Sequence, residues 1–349
     1  MGADWSDLVA LNEPPELVKK LAVFVAQAEE WVLYELNPRY LAEQLAIGER
    51  EALRLLVTAV AAHKFDLGWR VICPVCQGMS PALNSLSQLH YQNECVVCSN
   101  RFITHLDDEV VVVFTVRPEI RPLSEAARAN KVARQAIDER LGRVPALALL
   151  NLPRFHQLIH DQLLPEGQSL GVRQMAIFFS DLRQSTAFYH KFGDAVAYRW
   201  VCEHFAILFE AVAAHGGTAV KTIGDGVMGT FTDEMAALQS IVTGMKGIVA
   251  LNQQAGLKGS DRLTLKVGLH VGQCIVVTLN GRLDYFGETV NIAARLGGLA
   301  TGNDIILSQA VLSRPGNRAQ AETLGELMPI SARLKGLPGH FDLYRLLVK

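Results

Sequence analysis

The chain has 349 residues, half of them hydrophobic, and a formal net charge of −2 at pH 7. That length is sufficient for two domains, and the near-neutral charge gives no electrostatic reason to expect nucleic acid as a partner. No stretch approaches the roughly 20 uncharged apolar residues of a membrane-spanning helix, and the N-terminus lacks the basic-then-apolar pattern of a signal peptide. These features predict a cytoplasmic protein.

The first part of the chain is predicted to be helical. Apolar residues recur at spacings of three and four in Leu33–Ala46, where Pro38 marks a break or a new helix start, and in Glu49–Val60. A strand predicted at Leu67–Ile72 follows, which gives the pattern of a winged helix, a shape that can bind DNA. However, residues 1–70 hold seven Lys or Arg against eleven Asp or Glu. That balance has the wrong sign for a phosphate-binding face and favours a packing or dimerising role.

Two Cys-x-x-Cys pairs come next. Cys73 and Cys76 are separated from Cys95 and Cys98 by 18 residues, a spacing within the range of structural zinc sites. Four thiolates suit a closed tetrahedral site, so we expect one Zn²⁺ per chain. The alternatives are two disulfides or a redox pair. A reducing cytoplasm argues against disulfides, and no thioredoxin-like pattern surrounds either pair.

Strands predicted at Leu67–Ile72, Asn100–Thr104 and Glu109–Val116 would complete a zinc-ribbon-like fold around these cysteines. Residues 1–122 are therefore predicted to form a helical, winged-helix-like plus zinc-ribbon-like regulatory domain. Residues 123–169 are predicted to form a helical linker or transducer.

The linker contains two features. A helix with a serine cap is predicted over Ser124–Leu141. His156 and His160 are four residues apart, but without a third ligand nearby a solvated helix face is favoured over a metal site.

A buried strand is predicted over Met175–Phe179, and it leads to Asp181 before a helix that begins near Ser185. A carboxylate at the end of a strand, before free N–H groups at a helix start, suits a hard cation together with a phosphate. The alternative is an ordinary turn or capping aspartate.

A β-hairpin is predicted over Gly217–Phe231, with Asp225 between two glycines at its tip. Lys221 is a cation in an otherwise apolar strand, and the glycines let a ligand approach the backbone closely. A turn aspartate is the alternative. Together, Asp181 and Asp225 have the chemistry to hold two Mg²⁺ ions, as in sites of phosphoryl transfer.

A third polar segment lies further along. Asp284 is on a predicted strand after the turn at Asn280-Gly281. Asn291 and Arg295 are four apart on the helix that follows, so they share one face and can clamp a polyphosphate. The alternative is an amphipathic helix with a surface arginine.

Helices and strands alternate through this half of the chain. The order predicts an α+β, ferredoxin-like sheet with its helices on one face. Further helices are predicted at Asp194–His215 and Asp233–Asn252, and further strands at Leu263–Val271, Cys274–Leu279, Ile305–Leu307 and Phe341–Arg345.

These three polar segments resemble those of the class III nucleotidyl cyclases. The resemblance covers residues 170–349 and runs through Phe179–Thr186, Val220–Met228, Leu283–Arg295 and the closing Leu334–Arg345. It implies a ferredoxin-like cyclase catalytic domain. A helical region with Cys-x-x-Cys pairs before such a domain resembles a group of soluble bacterial cyclases.

The resemblance also implies roles for six residues. Asp181 and Asp225 would hold two Mg²⁺ or Mn²⁺ ions, Lys221 and Asp284 would recognise the purine, and Asn291 and Arg295 would stabilise the transition state. One departure is Gln184, which stands where the family usually has glycine, in a turn expected to pass close to the phosphates.

The Lys221 and Asp284 pair bears on the substrate. Adenine offers an amino donor and ring-nitrogen acceptors, which suit an acceptor-only carboxylate and a donor-only ammonium. The pair resembles the adenylate type of the family, and the expected reaction converts ATP to 3′,5′-cyclic AMP and pyrophosphate. The ribose 3′-hydroxyl would attack the α-phosphorus. One metal would lower the pKa of that hydroxyl, the other would hold the β- and γ-phosphates, and Arg295 would meet the developing charge.

In this family each active site spans a head-to-tail dimer. Since the chain has one cyclase domain that carries all six residues, a homodimer with two equivalent sites is expected. Two alternatives stay open: a non-catalytic nucleotide-binding scaffold, and a zinc-ribbon/winged-helix DNA-binding regulator with a cyclase-like sensor. Retention of the six polar residues argues against the scaffold, and the acidic N-terminal region argues against DNA binding. The signal or partner that acts on the N-terminal domain is not specified by the sequence.

Overall fold

The computed structural model describes residues 4–349. The chain divides into two compact units: an N-terminal unit up to Val172 together with Val276–Leu283, and a C-terminal unit of Arg173–Ile275 and Asp284–Lys349. No helix within residues 4–349 has the length and apolar character to cross a lipid bilayer.

The N-terminal unit is largely helical, as predicted. Its helices are α1 Ser6–Ala10, α2 Pro15–Gln27, α3 Pro38–Leu45, α4 Glu49–Ala61, α5 Glu125–Ala129, α6 Lys131–Leu141, α7 Ala146–Leu150 and α8 Pro153–Leu158. Its strands are β1 Phe65–Val71, β2 Gln92–Glu94, β3 Arg101–Ile103 and β4 Val110–Val116.

The three strands predicted around the cysteines do not form one sheet. Strand β1 pairs antiparallel with β4, from Phe65 opposite Val116 to Val71 opposite Val110. Strand β3 instead pairs with β2, a short strand that the sequence did not signal. This pairing is local, because β2 and β3 flank the second Cys-x-x-Cys turn and form a hairpin across it.

The helix predicted over Ser124–Leu141 is two helices. Asn130 leaves the helical conformation with ψ of 65° and its side chain accepts a hydrogen bond from Ala133 N, so that it caps α6. Ser124 caps α5 in the same way through Ala127 N. Asparagine competes for backbone donors in this manner, which explains the break.

The C-terminal unit is built on one mixed sheet with the strand order β11-β12-β10-β8-β5-β7-β6, and β9 pairs with β8. Its strands are β5 Ser169–Leu182, β6 Thr218–Ile223, β7 Gly226–Phe231, β8 Leu265–Leu279, β9 Arg282–Phe286, β10 Asp304–Ser308, β11 Gly325–Ala332 and β12 Phe341–Val348. Its helices are α9 Ser185–Phe192, α10 Asp194–Ala214, α11 Glu234–Gln254, α12 Glu288–Gly297 and α13 Asn317–Leu324. The α+β class is therefore confirmed.

Helices cover both faces of this sheet, so the expectation that they lie on one face is wrong. Along β10, Ile305 and Leu307 belong to the core cluster that contains α10 and α11, whereas Ile306 belongs to a second cluster with α12. Alternate residues of a strand point to opposite faces, which places α12 across the sheet from the two long helices.

Two other differences from the sequence prediction have local causes. Strand β8 runs without interruption through Gly272, whereas two separate strands were predicted on either side of this glycine. A Cβ at this position would lie 2.6 Å from Thr289 Oγ1, so the glycine provides space for helix α12. Strand β11 contains Pro329 and was missed. The proline is tolerated because β11 is an edge strand of the sheet.

Candidate active site

Asp181 lies near the end of β5, the strand that carries the predicted buried run. Ser180 pairs with Val227 of β7, so Asp181 is at the sheet end where the β6–β7 hairpin turns. Its side chain is half-exposed, and Oδ2 lies 2.8 Å from the ammonium of Lys266 on β8. Sequence reasoning missed Lys266, although a cation within an apolar strand was a usable signal.

Asp225 occupies the tip of the predicted hairpin. Gly224 has a φ of +62°, and a Cβ on Gly226 would lie 2.4 Å from the carbonyl oxygen of Ser180. Both positions therefore require glycine, and the second brings the turn against the end of β5. Asp225 Oδ2 is buried and has no hydrogen-bond donor among the described residues.

These two carboxylates fit divalent cations. A buried carboxylate oxygen without a donor is unfavourable unless a cation or another group satisfies it. Oxygen ligands from Asp181 and Asp225 are the type that Mg²⁺ and Mn²⁺ prefer.

Lys221 and Asp284 are in direct contact, although 63 positions separate them in the sequence. The Asp284 side chain is only 8% exposed and Oδ1 accepts the N–H of Tyr285 at 2.8 Å, whereas Lys221 is 36% exposed. The backbone N–H of Tyr285 thus fixes the position of the buried carboxylate. The ammonium of Lys221 remains accessible, and it lies 5.8 Å from the centre of the Phe286 ring.

Asn291 and Arg295 share the outward face of α12. Ile292 and Leu296 are buried on its inner side, while Asn291 is exposed and Arg295 is partly exposed. The closing segment reaches this helix, since a Cβ on Gly336 would lie 3.5 Å from Arg295 Nη2. The structure therefore brings the last motif beside the guanidinium.

Gln184 has a left-handed backbone, with φ of 58° and ψ of 32°, immediately before α9. Glycine adopts this conformation without steric cost, whereas other residues do so less readily. The backbone explains the preference for glycine at this turn.

The four cysteines of the N-terminal unit converge as predicted. Their sulfur atoms all lie within 4.8 Å of one another, with 3.7 Å between Cys73 and Cys98 and 3.5 Å between Cys76 and Cys95. Tetrahedral zinc with Zn–S bonds of about 2.3 Å separates its sulfur ligands by roughly 3.8 Å. The arrangement fits Zn²⁺.

The two Cys-x-x-Cys turns also share one backbone pattern. Cys73 N donates to Gly78 O and Cys95 N donates to Asn100 O, each at 2.9 Å. Backbone N–H groups point at sulfur in both turns, from Gly78 to Cys76 and from Val97 to Cys95, each at 3.4 Å, and in the second turn they lower the pKa of Cys95. Hydrogen bonds of this kind stabilise the thiolate, the form that binds metal.

Comparison with known proteins finds a matching family model in each part of the chain. Residues 168–333 match the adenylate and guanylate cyclase catalytic domain, and residues 6–136 match a family of unknown function.

Individual relatives match between about two fifths and one half of the chain. Adenylate cyclase 1 of Rhizobium meliloti (strain 1021) is 24% identical over 193 residues, which are 52% of this chain and 28% of that protein. An adenylate cyclase of Mycosarcoma maydis is 30% identical over 159 residues, 40% of this chain and 6% of that protein. The adenylyl cyclase CyaB from P. aeruginosa has a TM-score of 0.45 at 22% identity, over 52% of this chain and 97% of that chain. The chain thus spans less than a third of the length of these two curated relatives.

Proposed function

Residues 168–333 belong to the family of adenylate and guanylate cyclase catalytic domains, and from this we propose that the chain is an adenylate cyclase. It converts ATP to 3′,5′-cyclic AMP and pyrophosphate. The observation that carries the choice of ATP is the contact between Lys221 and Asp284.

Lys221 and Asp284 can both bind adenine while they stay in contact with each other. A carboxylate has about four acceptor sites and an ammonium has three donors. Asp284 uses one site for Tyr285 N and another for Lys221. The remaining sites accept the adenine amino group, and Lys221 donates to a ring nitrogen. Guanine presents a carbonyl oxygen and an N–H at these positions, so it leaves the buried carboxylate and the ammonium mismatched.

The other residues position and stabilise the triphosphate. Asp181 and Asp225 would hold two divalent cations, which supply activation of the 3′-hydroxyl and neutralisation of phosphate charge. Arg295 donates to the α-phosphate as charge develops on it, and Asn291 beside it orients the same group. We name no side-chain general base.

The active sites are proposed to span a homodimer. Asp181 and Asp225 come from one protomer, and Lys221, Asp284, Asn291 and Arg295 come from the other. The pair that binds the base is formed within one chain, which agrees with a division in which one protomer binds the base and the other binds the metals.

The four cysteines are proposed to bind one structural Zn²⁺, which holds the two Cys-x-x-Cys turns together. The sulfur distances and the thiolate-stabilising N–H groups support this role.

The direct test is to incubate the purified full chain with ATP and Mn²⁺, and in parallel with GTP and Mn²⁺, and to measure both cyclic nucleotides. Cyclic AMP should be the main product. A protein that makes neither product is not a cyclase under these conditions, and one that prefers GTP contradicts the reading of the Lys221 and Asp284 pair.

A further inference from the structure

The N-terminal unit contains a cavity of about 830 Å³ that the proposed catalysis does not use. Its walls come from the β1–β4 sheet, the segment from Val32 to Asn37, the loop from Met79 to Asn84, and helix α6. Helix α6 contributes Lys131, Arg134 and Asp138, which recur at helical spacing and so form one face.

The two faces of the β1–β4 sheet differ in chemistry. Trp69 and Phe114 point to one side and are fully buried in the core. The other side carries Gly68 opposite Val113 and Arg70 opposite Val111, and these four residues line the cavity. Since a Cβ on Gly68 would lie 3.1 Å from a Val113 methyl, the glycine leaves the middle of this floor open.

A strained, buried carboxylate lies at one end of the cavity. Glu35 has a φ of +52°, and its side chain is 6% exposed. Arg70 Nη2 lies 2.8 Å from Glu35 Oε1, and Arg134 Nε lies 3.9 Å from Oε2. Burial raises the pKa of Glu35 despite the opposing effect of Arg70, Arg134 and Lys131. Two cations thus surround a single carboxylate that is itself poorly solvated.

Arg70 retains donor capacity that the protein does not satisfy. Its buried Nε has no acceptor among the described residues, and Nη1 faces the thioether sulfur of Met79 at 3.9 Å. Thioether sulfur is a weak acceptor. By contrast, Arg134 donates through Nη1 to the carbonyl oxygen of Ala127 and through Nη2 to that of Arg128, and its Nε faces Glu35.

The cavity lining has a cationic excess. The carboxylate of Asp138 is 2.9 Å from Arg143 and also accepts from Asn37 Nδ2. Asp66 is 3.7 Å from Arg117. Lys131 is exposed, and its charge acts on Glu35 together with those of the two arginines, but no salt bridge joins it to a carboxylate within residues 4–349. After the internal pairs are formed, Lys131 and part of Arg70 remain for an anion.

We propose that this cavity binds a small organic anion, a molecule with one carboxylate or phosphate group on an apolar body. The charged group lies between Arg70 and Lys131, and the apolar body lies over Gly68 and the adjacent valines. Volumes of several hundred Å³ with an apolar lining and a few polar groups are typical of sites for small molecules. A bare inorganic anion would leave most of the space and the apolar floor unused.

The experiment uses the purified full chain and anilinonaphthalene sulfonate, an aromatic anion whose fluorescence rises when it binds an apolar site. We expect saturable binding of about one probe per chain, with displacement by octanoate or by octyl phosphate. The more effective competitor distinguishes a carboxylate ligand from a phosphate ligand. The readout does not depend on cyclase activity, so it stands apart from the proposed function.

Two variants locate the site. Arg70→Met should weaken probe binding by about tenfold or more, because it removes charge-assisted hydrogen bonds. Lys131 lies on an exposed helix face, so Lys131→Met should fold like the wild type and weaken probe binding by roughly threefold. Lys19→Met, which removes an exposed lysine outside the lining, is the matched control and should bind like the wild type. Melting curves verify that each variant is folded.

Three results would overturn the proposal. They are probe binding that does not saturate, binding that neither octanoate nor octyl phosphate displaces, and equal affinities in the Lys131→Met and Lys19→Met variants. If Arg70→Met fails to fold, the comparison of the two lysine variants decides the question by itself.

Discussion

At the scale of single residues, Asp225 has a buried carboxylate oxygen without a donor in the described part of the chain. Asp225→Asn removes the charge that attracts a divalent cation but preserves the shape of the turn. We expect the variant to fold normally and to lose most cyclase activity in an assay of cyclic AMP.

The matched control for this substitution is Asp233→Asn. Asp233 caps α11 by accepting from Ala236 N at 2.7 Å, a role that asparagine also performs. The cyclase activity of Asp233→Asn should equal that of the wild type. Near-wild-type activity in Asp225→Asn would remove this residue from the metal site.

The contact between Lys221 and Asp284 predicts the choice of base. Lys221→Glu combined with Asp284→Cys exchanges the acceptor and the donor, so use of ATP should fall and use of GTP should rise. The measurement is the ratio of kcat/KM for the two nucleotides. A ratio that stays the same would mean that this pair does not contact the base.

Substitutions of Gln184 test whether the left-handed backbone before α9 is strained. Gln184→Gly should leave the free energy of unfolding unchanged or raise it by up to about 1 kcal/mol, because relief of backbone strain opposes the entropy of glycine. Gln184→Val should lower it by roughly 1–2 kcal/mol, since a β-branched residue tolerates positive φ poorly. Denaturant unfolding measures both values.

A control for this pair is Gln253→Val, at an exposed position within helix α11. Valine costs only about 0.5 kcal/mol in a helix. If Gln184→Val is no more destabilising than Gln253→Val, the turn is not strained.

At the scale of elements, the proposed Zn²⁺ joins the two Cys-x-x-Cys turns. Metal analysis of the purified chain should find about one Zn²⁺, and Cys73→Ser with Cys95→Ser should abolish it and lower the melting temperature. Cys202 is exposed on α10, so Cys202→Ser is the matched control and should retain the metal. Freshly purified, reduced protein without zinc would contradict the proposal.

At the scale of the whole molecule, the proposed division of the site between protomers predicts complementation. Asp181→Ala and Arg295→Ala should each be nearly inactive as homodimers. In a mixed dimer one site carries both changes and the other carries neither. Random pairing makes half of the dimers mixed, so a co-expressed mixture should recover roughly a quarter of wild-type activity.

The control for complementation is the pair Asp181→Ala and Asp225→Ala. Both changes affect the metal side of a site, so in a mixed dimer each site carries one of them and the mixture should stay inactive. If the Asp181→Ala and Arg295→Ala mixture is equally inactive although mixed dimers form, the sites do not span the interface.

The sequence was most informative where a feature depends on nearby residues. Glycine on either side of Asp225 predicted the tight hairpin, and Asn280-Gly281 predicted the turn before β9, which the structure confirms with positive φ at both positions. Apolar periodicity predicted the long helices α10 and α11 to within about two residues of their observed ends. The sequence analysis missed strand β11 and the helix break at Asn130. Pro329 fits into a strand because β11 lies at the edge of the sheet, and Asn130 separates two helices because its side chain caps the second one.

The sequence alone determined the local turns, most of the helices, the cysteine spacing and the resemblance of residues 170–349 to the class III cyclases, since each depends on residues close together in the chain. Only the tertiary structure decided that helices cover both faces of the sheet, that Lys266 meets Asp181, and that Glu35 lies between Arg70 and Arg134. Such contacts join residues many positions apart, and burial and charge, rather than spacing, select the partners. The cationic cavity of the N-terminal unit is of this second kind, because it exists only once α6 lies beside the β1–β4 sheet.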